Sequence, residues 1–360
     1  MERGQAKTER RSAGGRRLTR RDVLASVLAG GALGTAGLFF QKYYEEIRFC
    51  TTREDKAETF IAKASSYDAD LTAPIQAGMR ELGIGPEQIR DKRILLKPNL
   101  VETAEGAVHI HTHPHVIRAA AEAMLRLGAA SVIVGEGSAN YREIARIAEE
   151  TGLDELLAED NIPIVDLNCD DLVVRPNAGR RTRLKTLAFP AAIEKVDFVV
   201  SMPKMKTHHL AGITLSMKNM FGLMPGIAYG WPKNLLHCVG INESILDINA
   251  TLPAHLAIVD GIIGMEGDGP LLGVPKYAGT LVIGRNLPAV DATAARIMGV
   301  EPSKVPHLIA ASGWLGTIRQ NNITQRGETL ASVQTEFQLL EKIPAQRGLR
   351  LKATRRDRPL

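Results

Sequence analysis

The sequence predicts an α/β protein in which a largely parallel sheet is flanked by helices within a single large domain. Apolar runs of strand length alternate with segments whose apolar residues recur at helical spacing, so helices separate most of the strands. Aromatic residues make up only 4% of the chain, which holds 33 Gly among 360 residues. A chain of this length can bury a large core.

The N-terminus resembles a twin-arginine export leader. Arg20 and Arg21 precede the apolar run Val23–Phe40, which is the order expected of such a leader. The run is long enough to span a bilayer, so it is either a cleaved signal or a retained membrane anchor. We therefore expect an exported, periplasmic or otherwise extracytoplasmic protein that engages the twin-arginine export machinery.

The leader and the folded part divide the chain into four segments. These are the signal or anchor segment 1–45, a connecting helical segment 46–91, a main domain 92–318, and a C-terminal extension 319–360 with a basic tail.

The formal net charge of +5 comes from the ends of the chain. Residues 1–21 and residues 342–360 each carry +6, which leaves −7 for the middle of the chain. A nucleic-acid-binding protein needs its basic residues on a folded face. The charge distribution therefore excludes that class, and the basic tail is interpreted as a solvated end.

Three cysteines, Cys50, Cys169 and Cys238, are spread along the chain without a C-x-x-C pair. No local iron–sulfur motif or Cys-rich zinc motif is therefore present in the sequence. One disulfide is possible in an oxidising compartment, but small buried thiols are the preferred interpretation.

The periodicity assigns the regular elements in order. Strands are predicted at Arg93–Val101, Ala130–Val134, Ile162–Leu167, Val196–Ser201, His255–Val259 and Thr280–Gly284, and helices at Ala69–Leu82, Pro114–Leu127, Tyr141–Glu150, Ile213–Met224, Ile241–Thr251, Ala289–Met298 and Lys304–Ser312. Asp170–Leu187 is predicted to be an antiparallel excursion or a loop, and Arg319–Leu340 is left open between a strand and a helix.

Ionisable and polar residues follow the predicted buried strands. They are Lys97 and Asn99, then Glu136, then Lys204, Lys206 and His208, and then Asp260. Ligands of parallel α/β sheets bind at the carboxyl ends of the strands. We therefore expect these side chains to line one ligand site.

The segment Ser201–Gly226 is the most informative stretch of the chain. It holds Lys204, Lys206, His208, Lys218 and Asn219 directly after an apolar run. Burying a charge is costly unless it is paired, so a site for a small anionic molecule is the better explanation of these lysines. Its apolar Met stripe is predicted to pack in the core.

Two places are candidates for a divalent metal. In the Gly-rich loop after Asp260, Glu266 and Asp268 offer oxygen ligands, although the glycines are also explained by turns. The histidines His109, His111 and His113 alternate along the chain, and in an extended segment they would share a face. The alternative for these histidines is a solvated loop before a helix that starts at Pro114.

Several short motifs occur together in one order. They are Lys97-Pro98-Asn99, Pro203–His208, Lys218–Gly222, Asp260-Gly261, Glu266–Pro270 and Ala289–Asp291. Over about residues 92–300 these motifs resemble the domain-of-unknown-function 362 family. The resemblance implies a single α/β domain without an assigned catalytic mechanism. Some relatives carry appended ferredoxin-type cysteine clusters, which the sequence of this chain lacks.

Two functions and one structural alternative follow. The first is an exported enzyme for a small anionic substrate, in which Lys206, His208, Lys218 and Asp260 act on a substrate held by Lys97, Asn99, Glu136, Lys204 and Asn219. The second is a non-catalytic cofactor-binding, metal-binding or redox-accessory protein that uses the same pocket. In the structural alternative the lysines form buried salt bridges with Asp260, Glu266 and Asp291.

Overall fold

The computed structural model describes residues 55–102, 106–139 and 144–351. The strands within these ranges are β1 Ala57–Lys63, β2 Arg93–Pro98, β3 Ser131–Glu136, β4 Ile164–Asp166, β5 Leu172–Pro176, β6 Thr186–Pro190, β7 Phe198–Met202, β8 Lys204–His208, β9 Gly212–Thr214, β10 Leu256–Glu266, β11 Val274–Gly284 and β12 Ile323–Gly327. The arginine pair, the apolar run Val23–Phe40 and Cys50 lie outside the described residues.

The α-helices of the described residues fall mainly between the strands. They are α1 Thr72–Glu81, α2 Pro86–Ile89, α3 Pro114–Arg126, α4 Ile144–Thr151, α5 Leu153–Ala158, α6 Ser216–Asn219, α7 Gly226–Tyr229, α8 Asn234–Cys238, α9 Ile241–Thr251, α10 Leu287–Ile297, α11 Pro306–Ala311 and α12 Leu330–Val333. Short 3-10 helices lie at Ala191–Lys195, Met220–Leu223, Pro302–Lys304, Gln320–Asn322 and Pro344–Gln346. None of these helices is both long and apolar enough to cross a membrane.

A mixed, largely parallel sheet confirms the predicted fold class. Its strand order is β12-β1-β11-β10-β7-β2-β3-β4, with β8 beside β10 and β9 beside β8. The strands from β10 to β4 run parallel to one another. β5 and β6 form a separate antiparallel pair, as predicted for the excursion.

The sheet has a topological switch point between β2 and β7. From β2 the chain proceeds outward to β3 and β4, and it later returns to place β7 and β10 on the other side of β2. The carboxyl ends of the two strands lie side by side, since Lys97 is in register with Ser201. Ligands of open α/β sheets bind in the crevice that such a reversal creates.

Helices cover both faces of the sheet. One core cluster joins α1 and α3 to alternate residues of the strands, such as Ile94 and Leu96 of β2. Residues of α10 are absent from that cluster, although α10 packs against β1, β10 and β11. Because alternate residues of a strand face opposite sides, α10 covers the other face. Burial on both faces explains why β2 and β7 are almost continuous apolar runs.

The single helix predicted over Ile213–Met224 is wrong. The chain there forms β9, then the four-residue α6, and then the 3-10 helix Met220–Leu223. β9 pairs with β8 and satisfies backbone groups that would otherwise stand at a sheet edge. The apolar residues of the segment are buried all the same, so the helical spacing reported burial and not a continuous helix.

Both segments that flank the predicted main domain contribute strands to its sheet. β1 belongs to the segment 46–91 and β12 to the extension 319–360, and the two strands pair in parallel. β1 also pairs with β11. The folded unit therefore extends beyond the predicted bounds 92–318.

Two further expectations differ from the structure. β10 does not end at Asp260 but continues to Glu266, because its hairpin with β11 carries on past a register shift between Gly261 and Ile263. The thiols of Cys169 and Cys238 are exposed and not buried.

Candidate functional site

A cavity of about 400 Å³ lies at the carboxyl ends of β2, β3 and β8, at the switch point of the sheet. Its ionisable lining residues among the described residues are Lys97, Glu136, Lys206, Lys218, Lys233, His208, His209 and His237. We call this space the lysine cavity. Glu136 is the single carboxylate among these lining residues, so the cavity is biased toward positive charge.

Lys97 and Glu136 form a buried ion pair in the wall of the lysine cavity. Lys97 Nζ lies 2.8 Å from Glu136 Oε2, and both side chains are almost fully buried. The carboxylate also accepts from the backbone N–H groups of Leu100 and Gly137, each at 2.9 Å. Every charge in this pair is therefore matched inside the protein.

Asn219 ties this pair to the neighbouring strand. Its Nδ2 donates to Lys97 O at 2.8 Å and to Ser201 Oγ at 3.1 Å. Lys97 Nζ in turn donates to Asn219 Oδ1 at 3.3 Å. The carboxamide thus bridges the ends of β2 and β7 and places α6 at the cavity.

A glycine is required where the segment after α6 passes this ion pair. A Cβ on Gly222 would contact Glu136 Oε1 and Lys97 Nζ far inside van der Waals distance. The backbone also approaches β3 closely, because Gly137 N donates to Gly222 O at 3.0 Å. The Lys218–Gly222 motif therefore combines a cation, the bridging Asn219 and the close approach of the backbone.

The alternation of β8 explains the spacing of Lys204, Lys206 and His208. These three side chains share one face of the strand, and Met205 and Thr207 point to the other. All five residues are buried. Lys206 and His208 line the lysine cavity, whereas Lys204 does not.

Lys204 and Asp260 form a second buried pair outside the cavity lining. They are register partners on β8 and β10, and Lys204 Nζ lies 2.6 Å from Asp260 Oδ2. Tyr67 completes this cluster, since its hydroxyl donates to Asp260 Oδ1 at 3.1 Å and accepts from Lys204 at 2.9 Å. Burial and the nearby carboxylate raise the pKa of Tyr67. The structural alternative therefore describes Lys204 and Asp260 better than a catalytic role does.

Lys206 is fully buried and contacts no carboxylate among the described residues. Its Nζ donates to Ile110 O at 2.7 Å and to Pro270 O at 3.3 Å. Burial, together with the charges of Lys204 and Lys218, lowers the pKa of Lys206 to about 7. Among the described residues its ammonium group therefore has carbonyl partners alone, and burying a charge without a paired countercharge is costly.

Lys218 presents the most open cation of the cavity. Its Nζ lies 4.0 Å from the centre of the Phe221 ring, and no hydrogen bond or ion pair links it to another described residue. Desolvation and the charge of Lys97 lower its pKa to about 7. At neutral pH this lysine is therefore poised between its charged and neutral forms.

Lys233 is a cavity residue that is not among the candidates predicted from the sequence. It is buried in the left-handed region at φ 67°, and its Nζ donates to Asn168 Oδ1 and Met224 O. Burial lowers its pKa to about 8. The signal available in the sequence was a lysine between Trp231-Pro232 and His237, nine residues after the end of the predicted helix Ile213–Met224.

His208 holds its proton on Nε2. Its Nδ1 accepts hydrogen bonds from Leu210 N at 3.0 Å and Ala211 N at 3.2 Å. An acceptor nitrogen carries no proton, so the neutral ring bears the proton on Nε2. Burial and nearby Lys218 depress the pKa of His208 well below its usual value. His208 is thus a neutral hydrogen-bond donor in the cavity lining, and its part in catalysis stays a prediction.

The predicted metal ligands do not form a metal centre. The described residues contain no group of three or more His, Cys, Asp or Glu side chains placed to hold a metal ion. Residues 106–113 form turns, a bend and irregular backbone and not an extended strand, so the alternation expected of His109, His111 and His113 in an extended segment does not hold. His113 instead stacks on Tyr67 and caps α3 through Nδ1.

The acidic loop is also engaged elsewhere. Glu266 lies 3.5 Å from Lys276 and accepts from Gln338 N at 2.8 Å. Neither Glu266 nor Asp268 lines the lysine cavity. The acidic wall expected opposite the lysines is therefore not part of this cavity.

The remaining sequence candidate, Asn99, does line the cavity. Its backbone exchanges hydrogen bonds with Thr112, whose hydroxyl donates to Met202 O of β7. Its Oδ1 is buried and has no hydrogen-bond partner among the described residues. Asp291, in contrast, is structural: its carboxylate accepts from Ser216 N at 2.7 Å and Met217 N at 3.0 Å at the start of α6.

A family model described as a domain of unknown function (DUF362) matches residues 94–296, which is more than half of the chain. The chain belongs to the DUF362 family. The matched range contains β2, β3, β7, β8 and β10, and with them all the ionisable residues of the lysine cavity. The lysine cavity is therefore a feature of the DUF362 domain itself.

Two known proteins are similar to this DUF362 chain. A thylakoid-associated protein of Synechocystis is 28% identical over 254 residues, which are 69% of this chain and 77% of that protein. A crystal structure of a Thermotoga maritima protein from a structural genomics project has 14% identity and a TM-score of 0.34. That similarity covers 63% of this chain and 59% of the other.

The structural role of the Lys204–Asp260 pair leads to a stability prediction. We expect Lys204→Met and Asp260→Asn each to lower the free energy of unfolding by about 3 kcal/mol, because each leaves a buried polar group without its partner. The double variant should lose less than the sum of the two. Urea unfolding of the three variants measures this coupling.

The same variants separate a structural role from a catalytic one. At pH 6, where Lys206 is mainly protonated with or without the neighbouring charge of Lys204, the folded fraction of each should bind inorganic phosphate about as the wild type does, since neither side chain lines the cavity. Loss of phosphate binding in a stably folded Asp260→Asn protein would contradict the assignment.

Proposed function

We propose that this DUF362 protein binds a small anionic molecule, of the phosphate or carboxylate type, in the lysine cavity. One observation carries the proposal: three buried or half-buried lysines, Lys206, Lys218 and Lys233, converge on one cavity and contact no carboxylate among the described residues. The one lining carboxylate, Glu136, is already paired with Lys97.

The energetics of burial support this proposal. Removing an ammonium group from water costs several kcal/mol, and only a paired charge with good geometry returns that free energy. Lys97 and Lys204 each have such a partner within the fold. The three lysines without a carboxylate partner lower the stability of the protein when no anion is bound. A bound anion would supply the missing countercharge.

The chemistry available at the cavity extends the proposal to an enzyme. A general acid or base works best when its pKa lies near the operating pH. Lys206 and Lys218, with pKa values lowered to about 7, meet that condition at neutral pH. We propose that they exchange protons with the bound anion, while His208 Nε2–H donates a hydrogen bond to it.

We further propose that the protein is exported by the twin-arginine route. The support is the sequence of Arg20, Arg21 and the apolar run Val23–Phe40. The similar Synechocystis protein is thylakoid-associated, and a membrane location of this chain through an uncleaved leader is part of the same proposal.

Export is testable with the full chain in its own host. Replacing Arg20 and Arg21 by Lys keeps the charge but removes the paired arginines that a twin-arginine leader needs. We expect the protein to move from the extracytoplasmic fraction to the cytoplasm. Arg10→Lys/Arg11→Lys, which changes an earlier arginine pair, is the matched control. An unchanged distribution of the Arg20/Arg21 variant would contradict this route.

Anion binding is testable by calorimetry with inorganic phosphate. At pH 6.5 we expect Lys218→Met to bind phosphate about tenfold or more weakly than the wild type, because it loses a charge-assisted contact. As pH rises through 7 the wild-type Lys218 loses its proton, so the affinity ratio should shrink toward one by pH 9. Because wild type and variant are compared at the same pH, the protonation of phosphate itself affects both affinities equally and cancels in their ratio.

The exposed lysine Lys63, paired with Glu328 on the sheet edge, provides the matched control. Lys63→Met should leave phosphate affinity unchanged at both pH values. Equal affinities of wild type and Lys218→Met at pH 6.5 would remove Lys218 from the site, and absence of phosphate, pyrophosphate or carboxylate binding to the wild type would overturn the proposal.

A further inference from the structure

His237 adds a second imidazole to the lysine cavity, and its hydrogen bonding is the reverse of that of His208. Its Nδ1 lies 3.0 Å from the carbonyl oxygen of Lys233. A carbonyl oxygen only accepts, so His237 Nδ1 carries the proton. The ring lines the cavity, and Nε2 is the nitrogen that remains for a ligand.

In its neutral form the His237 ring therefore offers a lone pair at Nε2. Burial and the nearby charge of Lys218 lower its pKa, which favours the neutral ring at pH 7.5. The ring is positioned by the Phe221 ring, whose centroid lies 5.7 Å away. The backbone carbonyl of Lys233 thus fixes which ring nitrogen of His237 is the acceptor, in a cavity whose ionisable lining residues include four lysines and one carboxylate.

Asn99, the residue after β2, holds a second acceptor near the cavity. Its side chain is more than nine-tenths buried, lines the cavity, and has an Oδ1 without a hydrogen-bond partner among the described residues. That oxygen is shielded from solvent, so it is not open to a ligand in the cavity. His237 Nε2 is not among the buried atoms without a partner, so it is the acceptor available to a ligand hydroxyl.

We infer that the lysine cavity selects an oxyanion that still carries an O–H group, with His237 as the residue that accepts this hydrogen bond. The inference rests on the proposed anion binding and names the class of anion. The charged oxygens of the ligand face the lysines and His208 Nε2–H, and its O–H donates to His237 Nε2. A fully deprotonated oxyanion of equal charge has no proton for this hydrogen bond. The lone pair of His237 Nε2 would then face a lone pair of the ligand oxygen, which is unfavourable.

The same arrangement defines how a proton can leave the ligand. The O–H bond breaks, the proton binds to His237 Nε2, and the electron pair stays on the ligand oxygen. The ligand oxygen gains one negative charge, which the ammonium groups of the cavity stabilise. The step needs no other reactant, and the reverse step restores the ligand.

Hydrogenphosphate and sulfate provide a matched pair of probes. Near pH 7.5 both are mainly dianions with four oxygens, but only hydrogenphosphate has an O–H group. We expect the wild-type protein to bind phosphate about ten- to a hundredfold more tightly than sulfate, because an unmatched buried acceptor costs about that factor. Isothermal titration calorimetry of the full chain with each salt measures the ratio.

The variant His237→Leu removes the acceptor and keeps a side chain of similar bulk. We expect its phosphate-to-sulfate affinity ratio to fall close to one. His115→Gln is the matched control: His115 is exposed on α3 and does not line the cavity, so its ratio should equal that of the wild type.

A spectroscopic readout covers the case in which His237→Leu does not fold. In histidine-labelled wild-type protein, nitrogen NMR should place the proton of His237 on Nδ1 and that of His208 on Nε2. Equal binding of phosphate and sulfate, or an Nε2–H form of neutral His237, would overturn the inference. If phosphate and sulfate bind equally well, anion binding itself stands; if no anion binds, both proposals fail.

Discussion

The burial of lysine side chains at the carboxyl ends of the sheet is the constraint on which the rest of the structure depends. Five lysines face this region, and the protein treats them in two ways. Lys97 and Lys204 are matched by Glu136 and Asp260 at 2.8 and 2.6 Å, and these pairs join neighbouring strands. The other three have carbonyl, amide or aromatic partners alone. This division separates the framework of the domain from its proposed anion site.

The ligand acts in this account as the missing counterion. Each unpaired lysine lowers the stability of the empty protein in its charged form, since burial depresses the lysine pKa below that of the unfolded chain. The folded state binds fewer protons between pH 7 and about 10, so this cost declines as pH rises through that window. A bound anion removes the cost at lower pH. Anion binding, proton binding and stability are thereby coupled through the same few side chains.

The sequence predicts the parallel sheet and its polar strand ends because a strand buried on both faces is a nearly continuous apolar run, as in β2 and β7. It also predicts that Lys97, Lys206 and Lys218 belong to one site, because the cost of a lysine in a core is evident from residue type, and all three line the lysine cavity. It fails for Ile213–Met224, where apolar spacing fits a hairpin edge and two short helices as well as one helix. Lys233 and His237 are not among the predicted site residues, because only the tertiary path of α8 and of the residue before it brings them to the cavity.

We propose that the lysines are short of protons in the empty cavity and gain them with the anion. Titration of the wild-type protein with phosphate at pH 8, in buffers with different enthalpies of ionisation, counts the protons exchanged on binding. We predict a net uptake of about one proton or more per phosphate bound, because burial lowers the pKa of Lys206, Lys218 and Lys233 to about 7 to 8. Binding of phosphate without uptake, or with release, would contradict it.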